Sequence, residues 1–137
     1  MKHIVLTIIF EILFLSLSFA QEETIKVEVL SKSTTSWDGT TLQNYPEGQP
    51  EITISRITIP IGFKLPPHTH QTPLAGYVVS GELTVIKNDS TSHTVKAGET
   101  IVELINTVHY GSNEGSEPVV LLAFYMGIEG IPLSINQ

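Results

Sequence analysis

Cysteine is absent from all 137 residues. The chain therefore has no disulfide, no thiolate nucleophile and no thiolate metal ligand, and whatever it binds is held by nitrogen and oxygen. Basic residues are scarce: 7 Lys and Arg, no two adjacent, stand against 14 Asp and Glu, for a formal net charge of −7. Phosphate backbones need clustered cations, so a nucleic-acid partner is excluded. Helical periodicity is missing too, since no stretch of the mature chain carries apolar residues at a 3.6-residue spacing over a useful length. At 137 residues there is chain for one core and not for two.

The one long apolar run belongs to the first twenty residues. Lys2 precedes an almost wholly apolar stretch at 4–19, broken by Glu11, and Ser18-Phe19-Ala20 offers small residues where a signal peptidase cuts. The run is short for a membrane span, and no cysteine follows it to carry a lipid. The pattern predicts a secretory leader over 1–20 and a single mature domain over 21–137. Losing Lys2 and Glu11 together leaves the net charge at −7. An exported chain without disulfides fits a bacterial periplasm better than an animal extracellular space. A periplasmic or secreted protein with no stable membrane association after cleavage is expected.

The mature chain is a series of short β-branched runs separated by turn residues. Residues 24–30 alternate Ile25, Val27 and Val29 with Lys26 and Glu28, the pattern of a half-buried strand. Residues 31–49 are polar, with turn signals at Trp37-Asp38-Gly39 and Pro46-Glu47-Gly48 and room for a short edge strand at 40–42. Strands are predicted at 51–60, 77–79, 82–86, 91–95, 100–105 and 108–112. The run at 119–126 is apolar throughout and predicts a strand buried on both faces, and 127–137 reads as a tail. Evenly spaced short strands with turns between them define an all-β sandwich or barrel.

Histidine carries the chemistry. His68-Thr69-His70 sits just after Pro66 and Pro67, which cannot donate ladder hydrogen bonds and so mark a strand entrance. On an extended strand, residues two apart share a face, so both imidazoles emerge side by side, as a two-nitrogen metal site requires. His109, at the end of a later strand-like run, is the third candidate. His93 lies in a Ser/Thr-rich strand beside a turn and is expected at the surface.

These residues resemble the cupins, small jelly rolls also described as double-stranded β-helices. The first cupin motif, Gly-x5-His-x-His-x3–4-Glu-x6-Gly, is met by Gly62, His68, His70 and Gly81. The second, Gly-x5-Pro-x-Gly-x2-His-x3-Asn, is met by Gly98, His109 and Asn113. Together they cover 62–113, and Gly76-Tyr77-Val78-Val79-Ser80-Gly81-Glu82-Leu83 looks like the single-domain form of the family. The resemblance implies one divalent transition metal (zinc, iron, manganese, nickel or copper) on three histidines and a carboxylate. It also implies a small-molecule ligand or substrate and, often, a homodimer built on edge strands, for which 24–30 is the candidate element.

The departures are specific. The motif's glutamate falls on Leu74, and its Pro and Gly fall on Leu104 and Asn106, where Asn tolerates left-handed backbone. Two residues offer a substitute for the missing ligand. Glu103 stands an even number of residues before His109 among apolar neighbours, as a fourth ligand or acid/base group; a solvent-facing Glu103 is the alternative. Gln71 has the wrong parity and a weaker donor. Tyr77 and Tyr110 are core residues or cavity lining, Trp37 a cap on the barrel mouth or an edge cover, and Asn113 a support behind His109. Lys64 and Arg56 are candidates to attract an anionic substrate. Two functions remain open: a metal-dependent oxygenase, isomerase or lyase, and a non-catalytic, metal-free module that binds a small ligand.

Overall fold

The hairpin turns and β-branched runs fold as two antiparallel sheets in the computed structural model, which describes residues 24–137. The leader expected over 1–20 lies outside the described residues. Among the described residues there is no helix, and so none long and apolar enough to cross a membrane. The strands are β1 (Pro50–Ile59), β2 (His68–Thr69), β3 (Leu74–Ser80), β4 (Glu82–Lys87), β5 (Ser92–Lys96), β6 (Thr100–Val102), β7 (His109–Ser112), β8 (Val119–Ile128) and β9 (Ile135–Asn136). One sheet has the order β1-β8-β3-β6 and the other β5-β4-β7-β2-β9. This is the jelly-roll arrangement that the residue pattern predicted.

The apolar run at β8 takes the middle of the first sheet, paired along its whole length with β1 and on its other side with β3. Its alternate residues Val119, Leu121, Ala123 and Tyr125 point inward and are buried. Val119 and Leu121 meet Ile59, Val78, Leu83, Val85, Val95 and Ile101 in the main core; Ala123 and Tyr125 join Leu74 in a second cluster nearer the histidines. Gly81 turns β3 into β4 with φ +77, and a Cβ there would stand 2.8 Å from the Pro118 carbonyl, so glycine is required on both counts.

Four expectations need correction. Residues 24–30 form no strand, and Ile25, Val27 and Val29 are 94%, 87% and 72% exposed; at the β6 edge Leu30 O meets the Thr100 hydroxyl at 3.4 Å and no ladder forms. The outward residues of β8 are only half-buried, since the second sheet covers the inner face and only the loop segments at 30–31 and 45–48 lie over the outer one. The strand expected through Ile105 stops at Val102, where the backbone bends towards Asn106 at φ +54. The tail at 127–137 is partly structured: β8 runs on to Ile128, and β9 adds an edge to the second sheet beside β2.

Candidate metal centre

Strand pairing assembles the three imidazoles. His68 on β2 lies directly opposite His109 on β7, and His70 follows two residues on, on the same face. Ring centroids are 4.9 Å apart for His68–His70, 4.7 Å for His68–His109 and 5.2 Å for His70–His109. One donor atom from each ring lies within 4.8 Å of the others. This set can hold a metal ion.

The backbone chooses which nitrogen faces inward. The Nδ1–H of His68 donates to Pro66 O at 2.8 Å, that of His109 to Thr107 O at 2.8 Å, and that of His70 to Leu133 O at 2.7 Å. A carbonyl only accepts, so Nδ1 carries the proton in each ring and Nε2 keeps its lone pair. Burial pushes His70 down to about 4; the Leu133 carbonyl opposes this, and the neighbouring imidazoles add to it. Burial likewise lowers His109, against the pull of the Thr107 carbonyl. Near neutral pH these two rings are therefore uncharged and able to ligate.

Glu103 reaches the same place from the other sheet. It follows β6, and its N–H donates to Leu74 O at 2.9 Å, which continues the β3–β6 ladder and sets Glu103 opposite Leu74. Residues opposite each other across a ladder bring their Cβ atoms to roughly 5 Å. The carboxylate thus stands one strand away from where the motif has its glutamate. Ser36 Oγ donates to the Glu103 carbonyl at 2.8 Å and pins this backbone from the 31–42 loop. Glu103 is buried, and burial pushes its carboxyl up to about 7 against a hydrogen bond from the Leu104 N–H.

Glu103 Oε2 lies 3.6 Å from His109 Nε2. Neither buried atom has a hydrogen-bond partner among the described residues. Such atoms are costly unless a proton or a cation lies between them. The three converging imidazole nitrogens form a donor set suited to a transition metal, so the residues fit the implied ion, with the Glu103 carboxyl beside His109.

A cavity of about 210 Å³ opens from this cluster between the sheets. One side carries His68 and His70; the facing sheet contributes Ile57, Leu74, Leu121, Ala123 and Tyr125. Gln71 is exposed and takes no part. Tyr77 and Tyr110 do not line the cavity, and neither do Lys64, whose ammonium sits 6.0 Å from the Tyr110 ring, or Arg56, which is exposed. Trp37 packs against the main core and stacks on exposed His93 at 5.6 Å, so it closes the core and not the site. Asn113, fully buried four residues after His109, donates to Ile59 O and Glu117 O and accepts from the Gly115 N–H.

Sequence reasoning missed two contributors. Tyr125, whose ring stands 6.0 Å from His70, was hidden inside an apolar run, though it shares parity with Leu121 and Ala123. The segment 133–136 supplies the Leu133 carbonyl and places Ser134 and Asn136 at the cavity mouth; nothing in its composition signals that role.

Comparison with known proteins agrees with this geometry. The cupin-domain family matches residues 55–125, just over half of the chain, and the chain belongs to that family. Oxalate oxidase in complex with the substrate analogue glycolate is 30% identical over 60% of this chain, with a TM-score of 0.51. The DMSP lyase DddQ from Ruegeria pomeroyi DSS-3 is 14% identical over 63% of this chain, with a TM-score of 0.55, a likeness of fold alone. The matches span 45% and 43% of those two chains. No curated protein matches.

Proposed function

We propose that this cupin binds one divalent transition metal through His68, His70 and His109 and acts on a small organic molecule. Glu103 is the fourth ligand or the acid/base group beside the ion. The observation that carries the reading is the facing pair of buried, unpartnered atoms, Glu103 Oε2 and His109 Nε2, 3.6 Å apart. Zinc, iron, manganese, nickel or copper would supply Lewis acidity and lower the pKa of a water bound there. The chain's own part is to present neutral imidazoles, exclude water along the apolar wall, and hold a carboxyl that gains or loses a proton near pH 7. An oxygenase, isomerase or lyase reaction fits these groups.

The same reading places the mature protein in the periplasm or outside the cell, on the strength of the leader pattern at 1–20. It also makes the protein a homodimer. The support is two exposed apolar surfaces on one chain: Ile25, Val27 and Val29 of the arm, and Ile52 and Ile54 on the outer face of the first sheet, continued by half-buried Phe124. A second copy offers each surface the other.

Metal content of untagged protein purified without chelator tests the site. Near-stoichiometric metal is expected, lost in His68→Ala and reduced in Glu103→Gln. Protein that takes up no metal even after incubation with divalent ions would overturn the reading. Leu74 would then mark a site without metal, a small-ligand binding module.

A further inference from the structure

Beyond the metal, the cavity has a polarity that selects its ligand. We infer that it takes a molecule with a single oxygen head and a short apolar body, and that it rejects a second charge at depth. The inference rests on the metal-site reading only for what anchors the head.

The polar groups at depth gather at one end of the cavity: His68 and His70 from the second sheet, Glu103 and Tyr125 from the first. Across from them the first sheet presents Ile57, Leu121 and Ala123, with Leu65 and Pro66 at the side. No Lys or Arg lines the cavity. Lys87, opposite His109 across the β4–β7 ladder, is committed to Asp38 at 2.9 Å and does not line the cavity. The neutral groups Ser134 and Asn136 are exposed at the mouth. A second carboxylate turned towards Ile57, Leu121 and Ala123, away from Tyr125, would lose its water and meet no cation, a penalty that binding does not recover. A methyl or methylene in the same place gains burial.

Size sets the upper limit. At about 30 Å³ for each water-sized group, 210 Å³ admits on the order of seven non-hydrogen atoms before a ligand reaches the mouth. Gly76 contributes to the lining, and a Cβ there would sit 2.9 Å from Leu121 Cδ1 and push that side chain. The length of the apolar body is therefore governed by Ile57 and Leu121. Ile57 is the one to alter, being half-buried and outside the metal cluster.

The test uses zinc-loaded protein, with zinc content measured first and again after each titration. Calorimetry then compares acetate through hexanoate, and succinate against its uncharged-tail isostere 4-methylpentanoate. Affinity is expected to rise about fourfold per methylene, to level off near pentanoate, and to favour 4-methylpentanoate over succinate by at least tenfold. Ile57→Ala should move the plateau to a longer chain. Equal binding of succinate and 4-methylpentanoate, no gain with chain length, or no monocarboxylate binding would overturn the inference and leave the metal site standing. Protein that takes no zinc would overturn the metal reading instead. The same probes followed by NMR shifts of the metal-free protein would then decide the cavity inference by the same preference.

Discussion

Glu103→Gln should stabilise the metal-free protein above neutral pH. The carboxyl ionises near 4.5 in the unfolded chain and is pushed up to about 7 in the fold, chiefly by burial. A tenfold change in acidity is worth 1.36 kcal/mol, so ionised Glu103 costs the folded state on the order of 3 kcal/mol. The direction follows from linkage: the penalty is absent below pH 4.5, grows as pH rises, and is complete above about 7. Glutamine carries no such penalty, though burying its amide takes back about 1 kcal/mol. His70 and His109 titrate in both proteins and drop out of the comparison. At pH 8 the variant should gain about 2 kcal/mol, near 1 M in urea midpoint for a slope of about 2 kcal/mol/M. At pH 4.5, where the carboxylate penalty is nearly absent, the variant should be about 1 kcal/mol less stable than wild type. Chelator-treated protein, denatured in urea at both pH values, gives the comparison. With metal added the order should invert, because wild type gains more from binding. A variant less stable than wild type at pH 8 without metal would refute the reasoning, showing that the carboxylate has favourable partners in the fold.

Three further outcomes are expected. Asn113→Ala removes three buried hydrogen bonds joining β1, β7 and the 113–118 loop, and should cost about 2–4 kcal/mol by urea denaturation. For Asp38, burial pushes the carboxyl up, but hydrogen bonds from Lys87 and the Thr40 N–H outweigh it and hold the pKa at about 2. Its stabilisation is therefore present above about 3.8 and lost as pH falls towards 2; Asp38→Asn should lower the urea midpoint at pH 7 and match wild type at pH 2. Phe124→Lys on the outer face of the first sheet should turn a dimer into a monomer in sedimentation, with metal content unchanged; a monomeric wild type would sink the dimer.

The strand alternation, the turns and the His-x-His parity were legible because each depends on backbone geometry over a few residues. Both cupin motifs and the convergence of His68 with His70 follow from that local repeat. Glu103 was legible only as a choice: its parity to His109 crosses the left-handed corner at Asn106, and a corner destroys parity arguments. Its inward placement was settled by the pairing with Leu74, a contact between strands far apart in sequence. The arm at 24–30 shows the converse. Its alternation reads as a strand, yet a strand exists only where backbone ladder bonds form, and at the β6 edge Leu30 O meets a side-chain hydroxyl instead. Tyr125, the Leu133 carbonyl and the unequal walls of the cavity came from tertiary structure alone. Which residues face each other across two sheets is set by packing and register, and neither is written in any single stretch of the chain.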